Sequence, residues 1–102
     1  LMLFEGAIKF VKLARKAILE KDIAGANNNL TRAQDIIAEL DRSLDMSYDI
    51  SQNLAGIYDF LYRRLVDANI KKDVDALDVV ESMLVELKNT WEEAYLSLRK
   101  SV

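Results

Sequence analysis

The 102-residue chain contains no proline, no cysteine and no histidine, and only three glycines, Gly6, Gly25 and Gly56. Without cysteine there is no disulfide framework, no thiolate nucleophile and no thiolate-held zinc. Without histidine, serine-triad, zinc-protease and Glu-x-x-His di-iron chemistries are excluded. The remaining side chains with chemical potential are carboxylates, Lys, Tyr and Ser, and no spacing pairs them as base and nucleophile, so no enzyme is expected. No cofactor is expected either. No apolar run approaches the ~18–20 residues of a membrane span. The opening Leu1–Phe10 is broken by Glu5 and Lys9 and is not a signal peptide. A chain so poor in breakers has few places to turn, which suits a handful of long helices.

What is present fits one packed domain over residues 1–102. Apolar residues make up 51% of the chain and charged residues 30%, enough apolar mass for a core at this length. The net charge of −3 argues against a nucleic-acid binder. Basic residues gather early (Lys9, Lys12, Arg15, Lys16, Lys21), and acidic ones follow from Asp22 to Asp45. Complementarity between two neighbouring helices is the simplest reading of that split.

Four helical segments follow from periodicity. The first runs from about Leu1 to Glu20 with Phe4, Ala7, Ile8, Val11, Ala14 and Ile18 on one stripe, and its apolar opening reads as a helix already under way. Lys21-Asp22 interrupts it, and Asp22 is a natural N-cap for the second segment. There Ile23, Leu30, Ile37 and Leu44 recur every seven residues, with Ala26, Ala33 and Leu40 between them. The break at 45–49 offers Asp49 or Ser51 as the next cap. The third segment carries Ile50, Leu54, Ile57, Leu61, Leu65 and Ala68 and should end near Asn69. After Ile70-Lys71-Lys72, Asp73 caps a fourth segment in which Leu77, Leu84, Trp91 and Leu98 repeat every seven residues. No sustained alternation suggests a strand. The expected fold is all-α, an antiparallel up-down-up-down four-helix bundle.

At 100° per residue, the apolar side chains of the second segment fall within an arc of roughly 140°. Those of the third, including Tyr58, Phe60, Tyr62 and Val66, spread over roughly 240°. A bundle helix buries less than that. The arc alone leaves two readings open, amphipathic aromatics rimming the core or a groove for an apolar partner segment. The row Asp73, Asp75, Asp78 and Glu81 lacks the glycine and loop of a calcium hand, and acids in a first turn favour the helix dipole. Asn27-Asn28-Asn29 is a poor helix former and needs a reason, either solvent exposure or an amide offered to a partner.

The run from Asn53 to Asp73, with Asn53-Leu54-Ala55-Gly56-Ile57-Tyr58-Asp59-Phe60-Leu61-Tyr62-Arg63-Arg64-Leu65 at its head, resembles the signature of flagellar export chaperones of the FliS type. Leu1 to Ile8 is similar to the family's opening helix. Asn28-Asn29-Leu30 with Ala33-Gln34-Asp35-Ile36-Ile37 is similar to its second, Leu44-Asp45-Met46 to the following turn, and Leu84-x-x-Leu87-x-x-x-Trp91 to its last. The resemblance spans nearly the whole chain in order.

It implies a helical bundle of the bacterial cytoplasm that binds the C-terminal segment of flagellin, prevents premature polymerisation and delivers it to the flagellar type III export gate. A co-chaperone is a further implied partner, and membrane insertion is not. On this reading the flagellin helix lies against Leu54, Tyr58, Leu61, Tyr62 and Leu65, with amides from Asn53 and Asn69 near its ends. The Asn28–Asn29 region takes a further flagellin segment. Tyr58→Asp with Leu65→Asp is then expected to abolish binding while the helices persist. Family members usually carry an N-terminal arm before the opening helix, expected to be absent or disordered here. Phe4 and Phe60 stand where Tyr is frequent in the family. The protein is expected to be a monomer forming a one-to-one complex. The alternative is a self-associating structural or adaptor bundle without flagellin cargo.

Overall fold

A computed structural model describes residues 2–100, so the expected helix start at Leu1 lies outside the described residues. They form four helices, α1 (Met2–Leu19), α2 (Ile23–Arg42), α3 (Asp49–Lys71) and α4 (Val74–Lys100), with no strand among them. Each helix packs on two neighbours in a closed ring: α1 touches α2 and α4, and α3 touches α2 and α4. The short connections make adjacent helices antiparallel, as the expected bundle requires. Arg15 late in α1 meets Asp78 and Glu81 early in α4, and Phe4 early in α1 lines a hollow with Trp91 late in α4.

Small residues bring α1 and α2 closest. Ala7, Ala14, Ala26 and Ala33 are fully buried, and a Cβ on Gly6 would stand 3.2 Å from Ile36 Cδ1. The centre is filled by Val11, Leu30, Leu61, Leu65, Leu77 and Leu84, each fully enclosed. Burial of side chains that size stabilises by about 1.5–3 kcal/mol each.

The two tightest turns share one chemistry. Lys21 (φ 61°) and Lys72 (φ 53°) both adopt the left-handed conformation that usually selects glycine. In each case the next amide reaches back five residues, Asp22 to the Ala17 carbonyl at 2.8 Å and Asp73 to that of Ala68 at 3.1 Å. The same two aspartates then cap the following helix. Asp22 Oδ1 accepts from the Gly25 amide at 2.9 Å, and Asp73 Oδ1 from Asp75 at 3.0 Å and Ala76 at 3.3 Å.

Three boundary expectations are corrected. Helix α3 is entered from Tyr48 with no side-chain cap, because Asp49 is already its first residue and Ser51 is buried. It continues past Asn69 to Lys71, since the left-handed residue is Lys72. The seven-residue seams also overrun the core. In α2, Ile23 is exposed. In α4, Leu77 and Leu84 are buried, whereas Trp91 is 42% and Leu98 68% exposed. Twenty-seven residues of α4 stand beside eighteen of α1. At 1.5 Å per residue that is about 40 Å against 27 Å, so among the described residues the last turns of α4 extend beyond α1.

Candidate functional site

Three hollows adjoin through shared walls. The first, about 300 Å³, lies between α2 and α3 and is lined by Ile37, Asp41, Arg42, Tyr58, Asp59 and Tyr62. The second, about 350 Å³, opens at the end of the bundle where the 43–48 connection passes, over Phe4, Leu44, Tyr48, Ile50, Leu54 and Trp91, with Tyr58 again in its wall. The third, about 370 Å³, is bounded by Met2, Phe4, Trp91 and Tyr95. Tyr58 therefore divides the first from the second, and Phe4 with Trp91 divides the second from the third. Together they make one track from the α2–α3 face across the open end to the overhang of α4.

Large apolar groups stand uncovered along it. Met2 (86%), Tyr48 (63%) and Ile50 (62%) are the most exposed, followed by Tyr95, Trp91 and Tyr62. Local structure explains why. Tyr48 and Ile50 sit at the entry to α3, where an Asx turn holds the chain: Asp45 Oδ1 accepts from the Ser47 hydroxyl at 2.6 Å and amide at 3.0 Å. Those two hydrogen bonds hold the Asp45 carboxyl below its ordinary pKa. Trp91 and Tyr95 lie on the overhang, one helical turn apart. Buried Tyr58 has its phenol pushed up, first by burial and then by the Asp41 carboxylate, while the Trp91 side chain acts in the opposite sense.

Charges around the track are unevenly neutralised. Arg42 pairs with Glu39 at 2.6 Å and Arg63 with Asp59 at 3.1 Å. Asp41 and Asp45 have no ion-pair partner among the described residues. No charged residue lines the third hollow.

The residues singled out from sequence separate into three groups. Leu54, Tyr58 and Tyr62 border the track, and Asn53 is exposed one position before Leu54. Leu61 and Leu65 are fully enclosed in the bundle core and present no surface. Asn28, Asn29 and Asn69 lie toward the opposite end: Asn28 is exposed, and Asn29 Nδ2 donates to the Gly25 carbonyl at 2.9 Å. Asn69 is taken by Lys72, whose Nζ donates to Asn69 Oδ1 at 2.8 Å and to the Asn69 carbonyl. The expectation that Tyr58→Asp with Leu65→Asp spares the helices is corrected, because both side chains are buried and carboxylates there would break the core.

Sequence reasoning missed Met2, Tyr48, Ile50, Trp91 and Tyr95 as surface groups. Helix lengths held the signal, since 27 residues of α4 beside 18 of α1 must leave part of the α4 seam without α1 beside it. The acidic row of α4 has structural work. Asp73 is a cap, and Asp78 and Glu81 accept from Arg15 at 3.0 and 2.8 Å. Partial burial works against the Arg15 charge, but Glu81 and Asp78 outweigh it and raise its pKa. Among the described residues no helix is long and apolar enough to cross a membrane.

Comparison with known proteins agrees with this surface. The family described as "Flagellar protein FliS" matches residues 1–97. The flagellar secretion chaperone FliS of Bacillus subtilis (strain 168) is 42% identical over 100 residues, covering 98% of this chain and 75% of the relative. That of Escherichia coli (strain K12) is 32% identical over 99 residues, covering 94% and 73%. That of Salmonella typhimurium is 33% identical over 95 residues, covering 90% and 70%. These relatives are chaperones and not enzymes. A helical bundle with an uncovered apolar track suits a flagellar protein client, and with its length matched almost throughout, the chain belongs to the FliS family of flagellar secretion chaperones.

Proposed function

We propose that the protein binds the C-terminal segment of flagellin in the bacterial cytoplasm, keeps it from polymerising and delivers it to the flagellar type III secretion apparatus. One observation carries this reading. Apolar and aromatic side chains remain exposed in a contiguous track on a chain of this family. Uncovered patches of that kind mark partner surfaces. A segment made to pack against its own copies in a filament is sticky when alone, and it needs a broad apolar surface to offset its ordering entropy.

Tyr62, Tyr58 and Leu54 contact the segment directly, with Leu61 and Leu65 supporting them from within. Asn53 offers an exposed amide beside Leu54, and Asn28, Asn29 and Asn69 form a second contact area at the opposite end. The protein acts as a monomer taking one flagellin, with the export gate and a co-chaperone as later partners.

Ile50→Asp with Tyr62→Asp tests this, since both residues are exposed and the core is untouched. Co-purification with a flagellin C-terminal segment should be lost while the helical circular dichroism persists. A folded double variant that still binds removes the track from the mechanism. Sedimentation should give a monomer that becomes a one-to-one complex, and a permanent dimer would favour a self-associating bundle instead.

A further inference from the structure

The basic stretch of α1 is not neutralised by the acidic stretch that follows it. Among the described residues no ion pair joins α1 to α2, and Arg15 turns instead to Asp78 and Glu81 of α4. Lys9, Lys12 and Arg32 have no ion-pair partner there. Lys16 meets Glu20 of its own helix at 3.9 Å, with side chains 73% and 58% exposed. A pair that open contributes little. Lys9, Lys12 and Lys16 are all exposed and share one face of α1 within roughly 60°, over about 10 Å of its length. Like charges so spaced work against the helix that carries them.

A fourth cation joins the row from α2. The half-buried Phe10 ring has Lys9 Nζ 5.8 Å and the Arg32 guanidinium 5.6 Å from its centroid. Cation–π attraction thus holds both groups at the α1–α2 seam without a carboxylate. Exposed Leu13 lies one turn from Lys9 and from Lys16. Acids border this patch. Glu5 stands one turn before Lys9, Glu20 one turn after Lys16, and Asp35 one turn beyond Arg32. On the α4 side Arg15 engages Asp78 and Glu81, and Lys88 and Glu92, one turn apart, offset each other. The patch is a positive centre with an acidic rim, on a chain whose net charge is −3.

We infer that this face of α1 is a second docking surface, which takes a short acidic helical segment of a partner protein. Its carboxylates, repeating every three or four residues over two turns, lie opposite Lys9, Lys12, Lys16 and Arg32, and an apolar side chain covers Leu13. The rim discriminates by length. A nucleic-acid strand or an anionic lipid surface running past the row would meet Glu5 and Glu20, whereas a segment with cations just outside its acids gains there. Of α1 only Met2 and Phe4 border the track, so both surfaces can be occupied together. The inference does not depend on what the track holds.

The test uses a designed helical peptide with Glu at three successive turns, one Leu beside them and Lys at both ends. A version with Gln for each Glu, an oligothymidine strand and phosphatidylglycerol vesicles serve as competitors. Titrated at low salt into the isotopically labelled full chain, the Glu peptide should saturably shift the amide signals of Lys9, Leu13, Lys16 and Arg32. Those of Tyr58, Tyr62 and Trp91 should stay in place. The Gln peptide, the Lys9→Gln, Lys12→Gln, Lys16→Gln triple variant and high salt should each weaken binding about tenfold. Helical circular dichroism of the variant should be unchanged, since all three positions are exposed. The triple variant should also bind a flagellin segment as the wild type does. Absence of binding by the Glu peptide, equal binding by the Gln peptide, or shifts centred on the track overturn the inference. Tighter binding of the strand or the vesicles overturns it too, since the face would then attract anions in general. Loss of the flagellin segment from the folded variant would assign the row to the cargo surface and end the inference while the cargo reading stands.

Discussion

Lys72 Nζ lies 2.6 Å from Asn27 Oδ1 and ties the turn between α3 and α4 to the first turns of α2. The same ammonium caps the C-terminus of α3 through Asn69. One side chain thus joins two turns of one design at one end of the bundle, and it gives Asn27 a role in a helix position where Asn is otherwise unfavourable.

Lys21 and Lys72 share a left-handed backbone but differ in what their side chains do. Lys21→Gly should therefore stabilise by about 0.5–1 kcal/mol, because strain is relieved and nothing is lost. Lys72→Gly should gain far less, since the hydrogen bonds to Asn27 and Asn69 disappear. Urea unfolding of both variants reads the difference, and equal gains would mean that the Lys72 bonds contribute nothing.

A Cβ at Gly56 meets nothing within 4 Å, and the residue lies exposed inside α3. Gly56→Ala should stabilise by about 0.5–1 kcal/mol through the lower entropy of the unfolded chain. At Gly25 the outcome reverses, because a Cβ would press on the Asp22 carboxylate at 2.3 Å and displace the cap. Loss of such a cap costs about 1 kcal/mol, measurable in the same denaturant titration.

Arg15 bridges Asp78 and Glu81 with its side chain 23% exposed, and Glu81 is similarly sheltered at 25%. A double-mutant cycle on Arg15 and Glu81 should return a coupling of about 0.5–1.5 kcal/mol after solvent screening. It should shrink in high salt. A coupling near zero at low salt would show that the bridge only fills space.

The raised pKa of Tyr58 makes stability depend on alkaline pH. The folded state holds the phenol proton to higher pH than the unfolded chain does. Its contribution is complete below about pH 10 and is lost as pH rises through the folded value. Wild type should lose stability more steeply than Tyr58→Phe above that point. Parallel curves would show that the phenolate is as well accommodated in the fold as in water.

Much of the architecture is legible in the residues. The Lys-Asp pairs at 21–22 and 72–73 mark two turns because Asp is a strong cap and a left-handed residue must precede it. The entry to α3 was harder to place. Asp49 looks like a cap, but the backbone turns one residue earlier, where Tyr48 offers no side-chain signal. The surface was legible in part. The wide arc of α3 correctly marks Tyr62 and Phe60 as surplus, both at least 40% exposed. Leu61 and Leu65 share that arc and are core, because an arc does not say which part faces the neighbours.

The sequence by itself determines the number of helices, the Asp22 and Asp73 caps and the middle of each buried stripe, since each follows from chemistry within a turn or two of the chain. It also excludes nucleophilic and metal chemistry that needs cysteine or histidine. Only the tertiary structure decides which apolar groups stay outside. That depends on how the four helices align along the bundle and on how the 43–48 connection lies across the end. Trp91 occupies the same seam as Leu84, yet it stands at the open end of the bundle and is 42% exposed.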